Sequence, residues 1–285
     1  MLDLSMVLMV LLFVLGAAWL VRDLPAVLSE LRHLVRDWAA VHEVVRRVDC
    51  RPWGLERTFV ISQDLATTSP AKEPVCSWAP VPGRKWEFGL SLWSAAFALA
   101  RLLCEQRAEL SQGAFKDGRT VIELGCGQAL VSMVAAALFP GLARIVATDG
   151  SEDVLRSART NVATNLPRDA EILHLLLLRW GCREHERLAL ELNAGKAYDV
   201  VLAADVTYME ECSDLVSSIL ALSHSETEAW VLHEPRRRSA SDLEARLRDG
   251  FSSVTHFEME LTAQDIGRDE TVRILGWHCI GKAKS

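Results

Sequence analysis

The chain has 285 residues, half of them hydrophobic, which is enough for one large α/β core with an appendage and short for two complete domains. A formal net charge of -7 supplies no basic field for a polyanion and argues against nucleic acid as a partner. Seven widely spaced cysteines without a CxxC pair suit a reduced, intracellular protein and offer zinc no ligand set.

In chain order, residues 4–21 (LSMVLMVLLFVLGAAWLV) carry no charge and are just long enough to cross a bilayer core. Arg22, Arg32, Arg36, Arg46 and Arg47 follow, so the positive-inside rule predicts a transmembrane anchor at 1–22 with the catalytic part in the cytosol. A cleaved signal peptide would want a basic start, and the only side-chain charge before the run is Asp3. Residues 23–48 repeat apolar side chains at helical spacing (Leu24, Val27, Leu28, Leu31, Leu34, Val35, Trp38, Val41, Val45, Val48), with Asp23 as a cap and Pro25 in the first turn. Residues 50–83 are rich in proline and read as a linker holding one short strand at 58–62, so 23–82 is expected to be a helical extension plus linker.

Beyond Gly83 the pattern becomes regular. A helix at 91–108 precedes a strand at 119–124, a helix at 129–138, a strand at 143–148 and a helix at 152–165. Strands follow at 172–178, 199–204, 229–233, 253–258 and 272–280. This alternation predicts an α/β fold over 83–285: a Rossmann-like, seven-stranded, mostly parallel sheet closed by an antiparallel edge hairpin. The N-terminal hydrophobic helix and helical extension would precede it.

Four motifs fall at the carboxyl ends of predicted strands, where open α/β sheets bind ligands. The first, VIELGCG, sets Gly125 and Gly127 in a strand-to-helix turn that brings backbone close to a ligand. Leu130 stands where the nicotinamide fingerprint wants its third glycine, so the dinucleotide version is incomplete. The acidic-Leu-Gly-x-Gly run from Glu123 to Gly127 resembles the first motif of S-adenosylmethionine-dependent methyltransferases, which implies that helix N-terminal amides receive the ligand's carboxylate and Glu123 answers its ammonium. In the second, ATDG, Asp149 lies 24 residues after Gly125 and can accept both ribose hydroxyls of an adenosyl group. The third, LRWG, offers Trp180 as a flat partner for the base. The fourth, AADVTY, presents Asp205 and Tyr208 three residues apart beside Ala204.

With WEFGLSLWSAA upstream, this set resembles the seven-strand protein-lysine methyltransferases of methyltransferase family 16, from Gly83 to about Ile280. The resemblance implies that Trp93, Gly125, Gly127, Asp149, Trp180 and Ala204 contact S-adenosylmethionine. It also implies that Asp205 and Tyr208 form the family's acidic-x-x-Tyr signature at the acceptor, a lysine side chain of a protein substrate. Three positions depart from the family: Ala129 and Ser132 replace frequent glycines, and Ser94 replaces a frequent aspartate. Small-molecule or histidine N-methylation and a tethered binding module without turnover remain alternatives, because acceptor choice lies in variable loops.

Overall fold

The computed structural model describes residues 43–64, 88–166, 171–207, 212–235, 242–266 and 271–283. The anchor expected at 1–22 lies outside them, as does the helical stripe up to residue 42. Among the described residues no helix is long and apolar enough to cross a membrane.

The compact unit runs from Val45 to Ser285. It opens with strand β1 (Glu43–Asp49), a 3-10 turn (Arg51–Trp53) and strand β2 (Thr58–Asp64), and the two strands pair as a small separate sheet. The stretch Glu43–Asp49, expected to belong to a helix reaching Val48, is extended instead. Val41, Val45 and Val48 fit a helical stripe by spacing, but over 43–49 β-branched residues favour extended backbone once a pairing strand is available. This module is anchored to the domain: Trp53, Phe59 and Ile61 are buried in the main core. The Trp53 indole donates to Asp265 at 2.9 Å, and the Arg46 guanidinium lies 4.3 Å from the centre of the Phe97 ring.

The large sheet follows from α1 (Ser94–Glu105), the short α2 (Arg107–Leu110), β3 (Thr120–Leu124), α3 (Leu130–Leu138), β4 (Arg144–Asp149), α4 (Glu152–Asn165) and β5 (Leu173–Leu177). It continues with α5 (Arg183–Leu192), β6 (Tyr198–Ala204), α6 (Ser213–Ala221), β7 (Ser223–His233), α7 (Leu243–Gly250), β8 (Phe251–Leu261), α8 (Ala263–Ile266) and β9 (Val272–Lys282). Its order is β5-β4-β3-β6-β7-β9-β8. The first five in that order run parallel, and β9 runs antiparallel to both β7 and β8. The expected hairpin is present, with its second strand inserted between β7 and the edge strand β8.

Inner strands read as apolar runs because both faces are covered. Along β6, Val200, Leu202 and Ala204 face the layer that holds α1 and α3, while Val201 and Ala203 face the layer of α6 and α7. Helix α4 packs Leu155 and Ala158 on Ala147 of β4, and Ser151 caps its start by accepting from the Val154 amide. Order reverses between β3 and β6, since β4 and β5 lie to one side and β7 to the other. The crevice outside their carboxyl ends is the place where this architecture binds ligands.

Candidate functional site

All four motifs arrive at that crevice. Gly125 and Gly127 follow β3 in left-handed backbone, at φ 69° and 51°. A β-carbon on Gly125 would lie 2.7 Å from Val206 and 3.2 Å from the Trp180 ring, so the turn after β3 sits between the ends of β5 and β6. A β-carbon on Gly127 would lie 3.2 Å from the Gly89 carbonyl oxygen. Glycine is thus required at both positions by conformation and by space.

Asp149 ends β4 and holds two turns together. Its Oδ2 accepts from the Gly127 amide at 3.2 Å and its Oδ1 from the Ser151 amide at 3.1 Å. Trp180 is half-buried, and the next residue, Gly181, donates its amide to the Ser218 hydroxyl on α6 at 2.8 Å. Ala204 is the last residue of β6. Asp205 follows with φ 58°, an uncommon conformation for a residue other than glycine, and is 8% exposed. Its amide donates to the Leu232 carbonyl at 2.8 Å, and its Oδ1 accepts from the Glu234 amide at 3.4 Å. The unusual backbone is thereby braced from β7. Tyr208 lies outside the described residues. Trp93 is half-buried at the start of α1, four residues beyond Gly89.

Glu123 is enclosed rather than open to the crevice, being 2% exposed. Its Oε2 accepts from the Ser132 amide at 3.0 Å and from the Ser132 hydroxyl, so the side chain caps the exposed amides of α3. Burial pushes its pKa up to about 7 against the pull of those two hydrogen bonds, and the nearby Asp149 charge adds to the rise. The Cys126 thiol between the two glycines is pushed well up by burial and by the same two carboxylates, which keeps it protonated.

The two departures from glycine now have local accounts. Ala129 takes φ 61° at the cap of α3, a left-handed position that suits glycine better. Ser132 is fully buried and turns its hydroxyl onto Glu123. A glycine at either site would remove a buried atom from the wall behind the turn.

Two features were missed in the sequence. The segment Phe88–Leu90 forms a 3-10 turn whose Gly89 packs against the crevice: a β-carbon there would lie 3.3 Å from Asp149 Oδ2 and 2.8 Å from Val154. The glycine within WEFG was its only sequence signal. His233, to which sequence assigns no role, ends β7 buried, with its Nδ1 2.5 Å from the Thr207 hydroxyl beside the Asp205 turn.

Proteins of known family match part of this chain. Protein-lysine N-methyltransferase EFM3 of Chaetomium thermophilum is 32% identical over 159 residues, covering 50% of this chain and 44% of that protein. Protein N-lysine methyltransferase METTL21A of Xenopus tropicalis is 34% identical over 140 residues, covering 48% of this chain and 56% of that protein. METTL21A of Danio rerio is 32% identical over 172 residues, covering 59% and 72%. The chain thus spans about half the length of the first two. The lysine methyltransferase family model matches residues 83–247, the stretch that supplies the strap at Gly89, the glycine turn, Asp149, Trp180 and Asp205. The chain belongs to this lysine methyltransferase family, methyltransferase family 16.

Proposed function

We propose that the protein transfers methyl groups from S-adenosylmethionine to a lysine side chain of a protein substrate. The observation that carries this reading is the meeting of Asp149 with the glycine turn, through the Gly127 amide, at the switch point between β3 and β6. The residues present fit the cofactor. Asp149 is the acidic group where open sheets of this kind hold adenosyl ribose hydroxyls, Trp180 gives a flat face for the base, and Trp93 and Ala204 complete the wall. Gly125 and Gly127, both in left-handed backbone, let the turn approach a ligand closely. The Asp149 carboxylate behind the turn favours a cationic ligand.

S-adenosylmethionine supplies a methyl group on a positively charged sulfur, and displacement from it requires a lone pair aligned behind the methyl carbon. The protein's part is alignment. Asp205 attracts and orients the lysine ammonium, and Tyr208 serves as a wall of its channel. A lysine with a reference pKa of about 10.4 must lose a proton to react, and an apolar channel beside a cation favours the neutral amine. No dedicated base is required.

Calorimetry tests the cofactor assignment. S-adenosylmethionine should bind and NAD should not, and Asp149→Ala should weaken binding by about 1.5–3 kcal/mol, as for a lost charge-assisted hydrogen bond. Unchanged affinity in a folded variant would remove Asp149 from the site.

The same proposal includes a membrane anchor at 1–22 with the catalytic domain in the cytosol, supported by the uncharged run at 4–21 and the arginines that follow it. Deleting residues 1–21 should move the protein to the soluble fraction with cofactor binding intact. Carbonate extraction that frees the intact chain would contradict the anchor.

A further inference from the structure

Gln128, directly after the glycine turn, is buried at 1% exposure. Its Nε2 donates to the Gly89 carbonyl at 2.7 Å. Its Oε1 accepts from the Ser157 hydroxyl and the Asn161 side chain on α4, each at 2.7 Å. The carboxamide's orientation is fixed by chemistry, because a carbonyl oxygen can only accept and the Asn161 amide nitrogen can only donate. Asn161 continues the chain of bonds to β2: its Oδ1 accepts from the Ser62 amide at 2.9 Å and its Nδ2 donates to the Ser62 carbonyl at 3.1 Å. The neighbouring Gln63 Oε1 accepts from the Leu92 amide at 3.0 Å, tying β2 to the far end of the same strap. Residues 88–92 are therefore held at Gly89 and at Leu92, and Gly89 itself lies against Asp149 and Gly127.

We infer that Gln128 is a positioning residue for the cofactor: it fixes the strap at 88–92 across the adenosyl side of the crevice and couples that strap to α4 and β2. The inference rests on the reading of Asp149 and the glycine turn as the S-adenosylmethionine site. Buried side-chain networks hold one arrangement when every member is satisfied, and a lost donor at their centre releases the parts it joins. When Gln128 is changed, Asn161 keeps both of its bonds to Ser62 and Leu92 keeps its bond to Gln63, so the loss falls on the Gly89 end of the strap.

Two variants separate the strap side from the helix side. Gln128→Glu, assayed at a pH high enough to ionise the new carboxyl, keeps acceptors for Ser157 and Asn161 but has no donor for the Gly89 carbonyl, whereas Gln128→Met keeps the volume and loses both sides. Calorimetric Kd for S-adenosylmethionine should rise at least tenfold in both. In steady-state assays KM for the cofactor should rise far more than kcat falls. A thermal midpoint close to wild type for Gln128→Met would show that the effect is not general unfolding, and amide exchange at 88–92 should quicken in the same variant. If the wild-type protein binds S-adenosylmethionine and both folded variants bind it with unchanged Kd, the inference is overturned while the cofactor site stands. If the wild type itself does not bind, the cofactor reading falls and this inference with it.

Discussion

Glu123 is the residue at which sequence and structure assign different work. The motif places it near the ligand's ammonium, whereas its carboxylate is enclosed and caps α3 through Ser132. An acid in that setting makes stability depend on pH. Its ordinary pKa of 4.5 is raised to about 7, so between those values the folded protein keeps a proton that the unfolded chain has released. The stabilisation is therefore complete below about pH 4.5 and is lost as pH rises through about 7. Comparing urea unfolding of wild type with Glu123→Gln isolates the effect. Wild type should lose on the order of 3 kcal/mol more than the variant between pH 4.5 and 7.5. Parallel pH profiles for the two proteins would contradict a buried, proton-retaining Glu123. By contrast, the placement of the glycines in a left-handed turn and of Asp149 at the end of β4 was legible at this scale, because both follow from local backbone pattern.

At the scale of elements, inner strands were read to within about two residues of their ends, because runs such as VVLAA have no amphipathic alternative when both faces are covered. Strand β7 begins at Ser223, ahead of the expected 229, because its first half, SHSETE, is polar and joins the sheet past a register shift near Tyr198. Strand β1 escaped notice because three valines at helical spacing carry the same signal in either conformation. What fixes the small sheet is tertiary. Asn165 on α4 accepts from the Val60 amide and donates to the Val60 carbonyl, both at 2.7 Å, and Asn161 repeats the arrangement at Ser62. Two side-chain amides thus imitate a pairing strand along β2, a partnership between residues about a hundred positions apart that no local pattern encodes. Asn165→Ala leaves both Val60 groups without these partners, and unfolding by urea should show a loss of about 1–3 kcal/mol. A midpoint equal to wild type would mean that water replaces the asparagine without cost.

Over the whole molecule, the sheet order and the reversal between β3 and β6 explain why strand-end motifs spread from residue 123 to 207 converge on one crevice. The sequence pattern predicts this convergence, since each motif ends a strand. Linkage of the crevice to β2 was not legible, because it runs through Gln63, Gln128 and Asn161, polar residues that look ordinary until their partners are known. The compact unit accordingly starts at Val45, well before the start of the family match at residue 83. Asp205 is held by a braced backbone whose neighbours Thr207 and His233 are buried together, and a charge at that point suits an ammonium.

Transfer of a labelled methyl from S-adenosylmethionine into a protein extract, with the modified residue mapped by mass spectrometry, tests the central claim most directly. The label should appear on lysine side chains. In Asp205→Asn turnover should fall by tens- to thousands-fold, about 2–4 kcal/mol of barrier, while cofactor affinity changes far less. Label on a small molecule or on another residue type, or no transfer by protein that binds the cofactor, would contradict protein-lysine methylation as its function.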